Sequence, residues 1–279
     1  MAALVVRRLL VDLKTPIDRH WNGGDAFRTA LFNALSFSFP AGEQFFIDSV
    51  RLGAQDLPAD LRAAFDDTLA GFIGQEATHR RIHALFNAQL EVQGCVNRWE
   101  PRILRRRRRL EGADARGWVG ATAATEHLTA ILADHLLVHH ATVLAGAEPR
   151  LRDLWLWHAS EELEHRSAAF DLYRALGGNE RWRRRLFFIV SVNFAIDLAL
   201  QTGRLLWHDG SWKRPSTWAS AARTLFGRHG LVRVCAGPWR RYLAADFHPA
   251  QADGSAGERW LAAHAALAPP VRAAAAPST

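Results

Sequence analysis

The sequence predicts an all-α protein whose main body is a four-helix bundle with one long crossover, followed by additional C-terminal helices. Four long stretches carry apolar residues at the spacing of amphipathic helices. Short turn signals with Gly or Pro separate the first stretch from the second and the third from the fourth, whereas the irregular segment 93–112 separates the second from the third. Two helical hairpins joined by one crossover account for this order.

Each of the four helices begins or ends at a recognisable signal. Asp25, which follows two glycines, is an N-cap candidate for the first helix, and Pro40 is expected to kink or restart that helix. Pro58 precedes the second helix, and Gly177 and Gly178 stop the fourth. The predicted helices span 25–52, 60–92, 115–140 and 149–176.

A fifth apolar segment, 186–207, is long enough to suggest a membrane span. However, Asn193, Asp197 and Gln201 recur at four-residue intervals and place a polar stripe along this segment. Because an Asp in the middle of a span is costly in lipid, the sequence favours a helix packed on the bundle with a hydrogen-bonded stripe. Peripheral contact of 183–207 with a membrane surface stays open as an alternative.

These elements divide the chain into four expected parts. The Gly and Pro residues after 210 indicate shorter helices behind the fifth segment, and the Ala- and Pro-rich C-terminus is typical of a disordered tail. The expected parts are an N-terminal extension (1–19), the four-helix bundle (20–178), a C-terminal helical extension (179–268) and a disordered tail (269–279).

Charge and cysteine content limit the classes of function. The formal net charge of +7 is compatible with an anionic partner. The excess arginines lie in two runs, 102–109 and 181–185, without an aromatic-interleaved or zinc-finger motif, so we expect solvated charged faces and no nucleic acid. Cys95 and Cys235 are too few for a disulfide framework, which favours a reducing, cytoplasmic compartment. The segment 1–13 already contains arginines, and no signal peptide is expected.

Two Glu-x-x-His motifs, at 76–79 and 162–165, lie on the second and fourth predicted helices. Residues three apart share a helix face, so each motif can offer a carboxylate oxygen and an imidazole nitrogen to one bound ion. The first and third helices each add one glutamate in an apolar setting. Six such groups in one core would leave charges unpaired without a compensating cation. The predicted metal ligands are Glu43, Glu76, His79, Glu126, Glu162 and His165.

The positions of the turns support one common site. Two residues of an antiparallel helical hairpin lie at the same height when the turn falls midway between them. The midpoint between Glu43 and Glu76 falls beside Pro58, and the midpoint between the two glutamates of the second hairpin falls beside Gly146. The crossover is long enough to run the length of the bundle. All four helices are therefore predicted to present ligands at one level.

Several neighbouring residues are further candidates. His83 and His158 lie one helical turn from predicted ligands, so each is either an additional ligand or a group that orients a ligand. Glu161 competes with Glu162, but only Glu162 has the three-residue spacing to His165. His127 points about 100° away from the glutamate before it, which predicts an orienting or structural role.

The ligand pattern carries a resemblance to known proteins. Glu, Glu-x-x-His, Glu and Glu-x-x-His on four successive helices resemble the ferritin-like di-iron carboxylate superfamily. More narrowly, residues 19–178 resemble a bacterial family labelled predicted metal-dependent hydrolase, through the runs FNALSFSFPAGEQFFIDSVR, FIGQEATHRRIH, TAATEHLTAILADHLL and LWHASEELEHRSAAFDLYRALGG. The resemblance implies one ion on Glu43, Glu76 and His79 and a second on Glu126, Glu162 and His165, with Glu76 and Glu162 as bridges.

The resemblance also implies a chemistry. Carboxylates with one imidazole per ion suit two iron ions, with manganese, a mixed manganese and iron pair or zinc as alternatives. The main expectation is a di-iron enzyme that activates O₂ to oxidise a hydrophobic small molecule, with an electron-donor protein as partner. The alternative is a di-metal hydrolase of an ester, amide or phosphate, and the second alternative is iron storage or detoxification. The oligomeric state stays open, with a homodimer as one option.

Overall fold

The computed structural model describes residues 4–271, and over this range the chain forms ten α-helices, two short 3₁₀ turns and no β-strand. The prediction of an all-α protein is therefore confirmed. The helices are α1 (Ala26–Gln55), α2 (Ala59–Val92), α3 (Glu100–Arg108), α4 (Ala115–Val143), α5 (Pro149–His165), α6 (Ala168–Ala175), α7 (Glu180–His208), α8 (Pro215–Phe226), α9 (Leu231–Arg241) and α10 (Ser255–Ala263).

The four predicted bundle helices correspond to α1, α2, α4 and the pair α5 and α6. Helix α1 packs along α2, α4 packs along α5 and α6, and α1 also packs against α4, so the two hairpins share one core. Asp25 caps α1, since its carboxylate accepts a hydrogen bond from the backbone N–H of Arg28 at 3.0 Å. Helix α1 continues through Pro40 and does not restart there.

Two elements differ from the sequence-based prediction. The fourth predicted helix is interrupted at Arg166 and Ser167, where the Arg166 guanidinium donates to the carbonyl of Leu163 and competes with the helical hydrogen-bond ladder. The crossover between α2 and α4 is not wholly irregular, because it contains the arginine-rich helix α3. No residue of α3 is fully buried, so this helix lies on the surface of the bundle.

Helix α7 holds the crossover against the bundle through its polar stripe. The helix is long and apolar enough to cross a membrane by length and composition alone, and 28% of its most apolar window is buried. Asp197 is 1% exposed and accepts hydrogen bonds from Arg102, at 3.0 Å, and from Arg106. Gln201 accepts a hydrogen bond from the backbone N–H of Arg98 at 2.9 Å. Asp197 and Gln201 are thus hydrogen-bonded to the crossover, whereas Asn193 lines a cavity, and these two arginines are paired rather than solvated.

Replacing Asp197 with Ala is expected to lower the free energy of unfolding by about 2 kcal/mol, because two arginines lose their shared buried acceptor. For a chain of this size that change lowers Tm by about 5 °C. Thermal unfolding followed by circular dichroism measures the shift. Asp66→Ala, at an exposed position of α2, is the matched control and should leave Tm unchanged. Equal Tm values for both variants would show that α7 does not depend on this ion pair.

The first described residues lie along the outside of the bundle in an extended conformation. Their backbone pairs with the C-terminal end of the described range: Arg8 N–H donates to Pro269 O at 3.0 Å, and Val271 N–H donates to Val6 O at 2.8 Å. Gly74 of α2 leaves room for this segment, since a Cβ atom at Gly74 would lie 2.3 Å from a Val6 methyl carbon. The segment is therefore packed closely on α2.

The C-terminal extension covers the bundle. Helices α7 and α8 pack against α1, α7 and α9 pack against α4, and α10 packs against α5. The predicted disordered tail at 269–279 begins too early, because the backbone at 269–271 is paired with the N-terminal segment. Residues 272–279, on which the rest of that prediction falls, lie outside the described residues.

Candidate metal centre

The six predicted ligands come together in the core of the bundle. They are Glu43 from α1, Glu76 and His79 from α2, Glu126 from α4, and Glu162 and His165 from α5. None of the six is more than 3% exposed. His165 Nε2 lies 3.2 Å from Glu76 Oε1 and 3.2 Å from Glu126 Oε2, and His79 Nδ1 lies 3.6 Å from Glu162 Oε1. The four helices thus present these side chains at one level, as the turn positions predict.

Three groups within this cluster place their oxygen and nitrogen atoms within 4.8 Å of one another, close enough to hold an ion. The groups are Glu43, His79 and His158; Glu76, Glu126 and His165; and Glu76, His79 and Glu162. This arrangement departs from the pairing implied by the resemblance, because His158 joins Glu43. Glu162 lies between the histidines, with its Oε1 3.1 Å from His158 Nε2 and 3.5 Å from His165 Nε2.

The cluster contains ten buried oxygen and nitrogen atoms that have no hydrogen-bond partner among the described residues. They are both carboxylate oxygens of Glu43, Glu76 and Glu126, Oε2 of Glu162, Nδ1 of His79, and Nε2 of His158 and His165. Each unpaired buried polar atom costs about 1–3 kcal/mol, and a charged one costs more. A cation among these atoms would satisfy several of them at once, so the donor set fits bound metal.

The pKa values of the side chains reflect this crowding. Burial raises the pKa of Glu43 and of Glu76 well above the usual range, and it also raises the pKa of Glu126. Burial opposes the charge on His79, but the hydrogen bond to Glu161 and the nearby carboxylate of Glu162 raise the pKa of His79 to about 10. The carboxylates therefore draw a proton onto this imidazole, in a position that a metal cation would take.

A hydrogen-bonded chain fixes the orientation of His158. The Asn87 amide N–H donates to the Ser36 carbonyl at 3.0 Å, so its oxygen faces the Ser36 hydroxyl and accepts from it at 2.6 Å. The hydroxyl is then free to accept from His83 Nδ1 at 2.8 Å, and His83 Nε2 accepts from His158 Nδ1 at 2.9 Å. This order leaves the lone pair of His158 Nε2 directed into the cluster. His83 itself does not reach the cluster and orients His158.

A second network orients the two histidines of the Glu-x-x-His motifs. His79 Nε2 donates to Glu161 at 2.9 Å, and His165 Nδ1 donates to the Gln75 side-chain oxygen at 3.0 Å. The Gln75 amide N–H donates to Glu164 at 2.8 Å. Both histidines therefore direct their other nitrogen into the cluster.

Arg7, from the extended N-terminal segment, joins the two halves of this network. Its guanidinium donates to both oxygens of Glu164, at 2.6 and 2.9 Å, and to Glu161 at 3.2 Å. Glu161 and Glu164 are the carboxylates that receive the N–H groups of His79 and of Gln75. A single arginine thus pairs with both acidic groups that lie behind His79 and His165.

Sequence reasoning identified the cluster but missed most of the groups that support it. Gln75 and Glu164 are each one residue from a motif glutamate or histidine, and this adjacency is the only local signal. Arg7 lies far from both motifs and has no such signal. His127 is outside the cluster: its Nε2 lies 3.2 Å from the Pro238 carbonyl oxygen, and burial lowers the pKa of His127 to about 4, which fits the predicted structural role.

A cavity of about 310 Å³ leads from the cluster toward the surface. Glu43 and Glu162 reach into it, and its walls come from α1, α3, α4 and α7. A smaller cavity of about 60 Å³ lies beyond Phe39 and Thr129 and also contacts Glu162 and His158. The groups of the cluster that line these cavities are therefore Glu43, Glu162 and His158.

Comparison with known proteins bears on the reaction. No curated protein and no solved structure matches the chain. A family model described as predicted metal-dependent hydrolase matches residues 5–253. The expectation of an O₂-activating di-iron enzyme is therefore wrong, because the matching family is described as one of predicted metal-dependent hydrolases. The same carboxylates and imidazoles serve both chemistries, so the ligand pattern alone could not separate them.

The matched range contains the whole cluster, the Arg7 network and the cavity walls. It covers far more than half of the chain and includes the N-terminal segment that supplies Arg7. The chain belongs to the predicted metal-dependent hydrolase family.

Proposed function

We propose that the protein is a two-metal hydrolase that cleaves an ester, amide or phosphate bond in a substrate with an apolar body. One observation carries the proposal: ten unpartnered carboxylate and imidazole atoms converge where an apolar cavity ends. Such a site combines the donors for divalent cations with a space that holds a small molecule and excludes most water.

The ligands divide into two sets that share a centre. One ion would be held by Glu43, His79 and His158, and the other by Glu76, Glu126 and His165. Glu76 also belongs to a group with His79 and Glu162, so these two glutamates would serve both ions. Oxygen and imidazole donors without thiolate suit manganese, iron or zinc. When bound, two such ions polarise the bond to be cleaved and lower the pKa of a water molecule.

The side chains around the cavity have separate tasks. Phe39, Phe45 and Phe46 line the cavity and keep bulk water from the reacting bond. Glu43 faces the cavity with two unpartnered oxygens, so one of them is placed to accept the proton that an attacking water loses. His158 is held in one orientation by its bond to His83, which fixes the nitrogen that it offers to the site.

Hydrolysis by metal-free and reconstituted protein tests this function. Protein stripped with a chelator and reloaded anaerobically with Mn(II), Fe(II) or Zn(II) is expected to hydrolyse model p-nitrophenyl esters or phosphates, whereas the stripped protein should not. The bound metal should also raise Tm, because it pairs with the carboxylates that are unpaired without it. At a free metal concentration a thousandfold above Kd, the free energy of unfolding is expected to rise by about 4 kcal/mol. Identical hydrolysis and identical Tm with and without metal would contradict the proposal.

A further inference from the structure

We propose that the substrate of this centre is a single-chain anionic amphiphile. Its hydrolysable bond lies at the carboxylate cluster, its apolar chain fills the cavity, and its anionic group lies beside Arg109. The position of the cleaved bond rests on the proposed function. The apolar chain and the anionic group of the substrate are inferred from the cavity itself.

The walls of the cavity are apolar along most of their length. Phe45 and Phe46 of α1, Trp99 and Ile103 of the crossover, and Val190 of α7 are among the lining residues. A volume of about 310 Å³ lies at the lower end of the range of small-molecule pockets, about 300–1,000 Å³. Each CH₂ group of an apolar chain that is buried here therefore contributes favourably to binding.

The negatively and positively charged side chains of the cavity lie at opposite ends. The inner end has the buried carboxylates Glu43 and Glu162, whereas the outer end has arginines of the crossover. Arg106 is paired with Asp197 and Arg107 with Asp48, the latter at 2.8 Å. The crossover has six arginines from 102 to 109, of which Arg102, Arg106 and Arg107 pair with Asp197 or Asp48.

Of the three arginines that line the cavity, Arg109 is the one whose guanidinium is available to a ligand. Its side chain is exposed and forms no ion pair with any residue from 4 to 271. An arginine with unused donors at the mouth of an apolar cavity attracts an anionic group and orients the molecule that carries it. The far end of the substrate is therefore held by charge, and the reacting end lies at the cluster.

A second cavity, of about 60 Å³, also contacts the cluster. His158 and Glu162 line it together with Phe39 and Thr129. Of the two cavities that contact the cluster, the one of about 310 Å³ is therefore the one with room for a long apolar chain.

Binding of decyl compounds to the full-length protein tests the inference without requiring turnover. Decanesulfonate is the anionic probe, and decanol, decyltrimethylammonium and ethanesulfonate are the uncharged, cationic and short comparators. Isothermal titration calorimetry is expected to show the tightest binding for decanesulfonate, with or without metal. Arg109→Gln should weaken its binding about fivefold, because one exposed charge pair is lost, while Arg105→Gln on the exposed face of the same segment should not.

A blocked cavity gives the second arm of the experiment. Ile189 lines the mouth and is 43% exposed, whereas Ile196, two turns along the same helix, is 49% exposed and does not line the cavity. Ile189→Trp is expected to reduce binding of all decyl compounds at least tenfold, and Ile196→Trp should leave it unchanged. Equal binding of the three decyl compounds, or equal binding by the two Trp variants, would overturn the inference even if esters are hydrolysed. Selective binding without any hydrolysis would support it and count against the hydrolase function alone.

Discussion

Glu76→Gln is expected to reduce metal binding from two ions per chain to one or none, and to lower hydrolytic kcat/KM by about 10³-fold. Glu76 is completely buried, its two oxygens have no partner among the described residues, and it belongs to two of the three groups that can hold an ion. The substitution keeps the shape of the side chain but removes one negative charge between the ions, a loss of several kcal/mol in transition-state stabilisation. Metal content by mass spectrometry and steady-state kinetics measure both effects.

Glu91→Gln is the matched control for this substitution. Glu91 lies on the same helix, α2, but its side chain is exposed and remote from the cluster. It should retain two ions and full activity. Two ions per chain and unchanged kinetics in Glu76→Gln would show that the cluster is not the metal centre, since no other group of side chains with this geometry occurs between residues 4 and 271.

Arg7→Ala is expected to weaken metal binding about 10-fold to 100-fold, although Arg7 does not reach the cluster. The substitution removes the cation that holds Glu161 and Glu164, which orient His79 and, through Gln75, His165. Loss of such supporting groups typically costs metal affinity in this range. Arg7→Lys keeps the charge but not the forked geometry, so it should restore part of the affinity.

Arg8→Ala is the control for the Arg7 variants, because Arg8 is the next residue and its side chain is exposed. Competition with a chelator of known affinity measures the metal Kd, and circular dichroism shows whether the fold is kept. A purely structural role for Arg7 would lower Tm and leave the metal Kd of the folded protein unchanged. That outcome, or equal metal Kd values for Arg7→Ala and Arg8→Ala, would contradict its positioning role.

The sequence was sufficient to find the cluster because two local rules act together. A Glu and a His three residues apart must share a helix face, and a turn midway between two glutamates must bring them to one height. Neither rule depends on the details of packing. Glu43, Glu76, Glu126 and Glu162 therefore meet in the core as their positions in the sequence indicate.

The supporting network could not be found in this way. Arg7 reaches Glu164 only because the N-terminal segment packs closely on α2 at Gly74, and nothing local to Arg7 indicates that contact. His158 was recognised as sharing the ligand face, but its orientation depends on a chain that begins at Asn87 on another helix. Such contacts are set by tertiary packing rather than by spacing along the chain.

The reaction was the least predictable property. A set of carboxylates and imidazoles binds divalent ions in both oxidative and hydrolytic enzymes, so the ligands do not identify what is done to the substrate. The cavity is more informative, because it shows an apolar space between buried carboxylates and an exposed arginine. Its walls include α7 and the crossover, whose places on the bundle depend on the buried pairs of Asp197.

The metal content of the full-length protein is the most direct test of the central claim that this cluster is a two-metal centre. Protein purified without chelators, and the same protein reloaded anaerobically with Mn(II), Fe(II) or Zn(II), should contain two transition-metal ions per chain by inductively coupled plasma mass spectrometry. A folded chain that retains no stoichiometric metal under any of these conditions would contradict the claim.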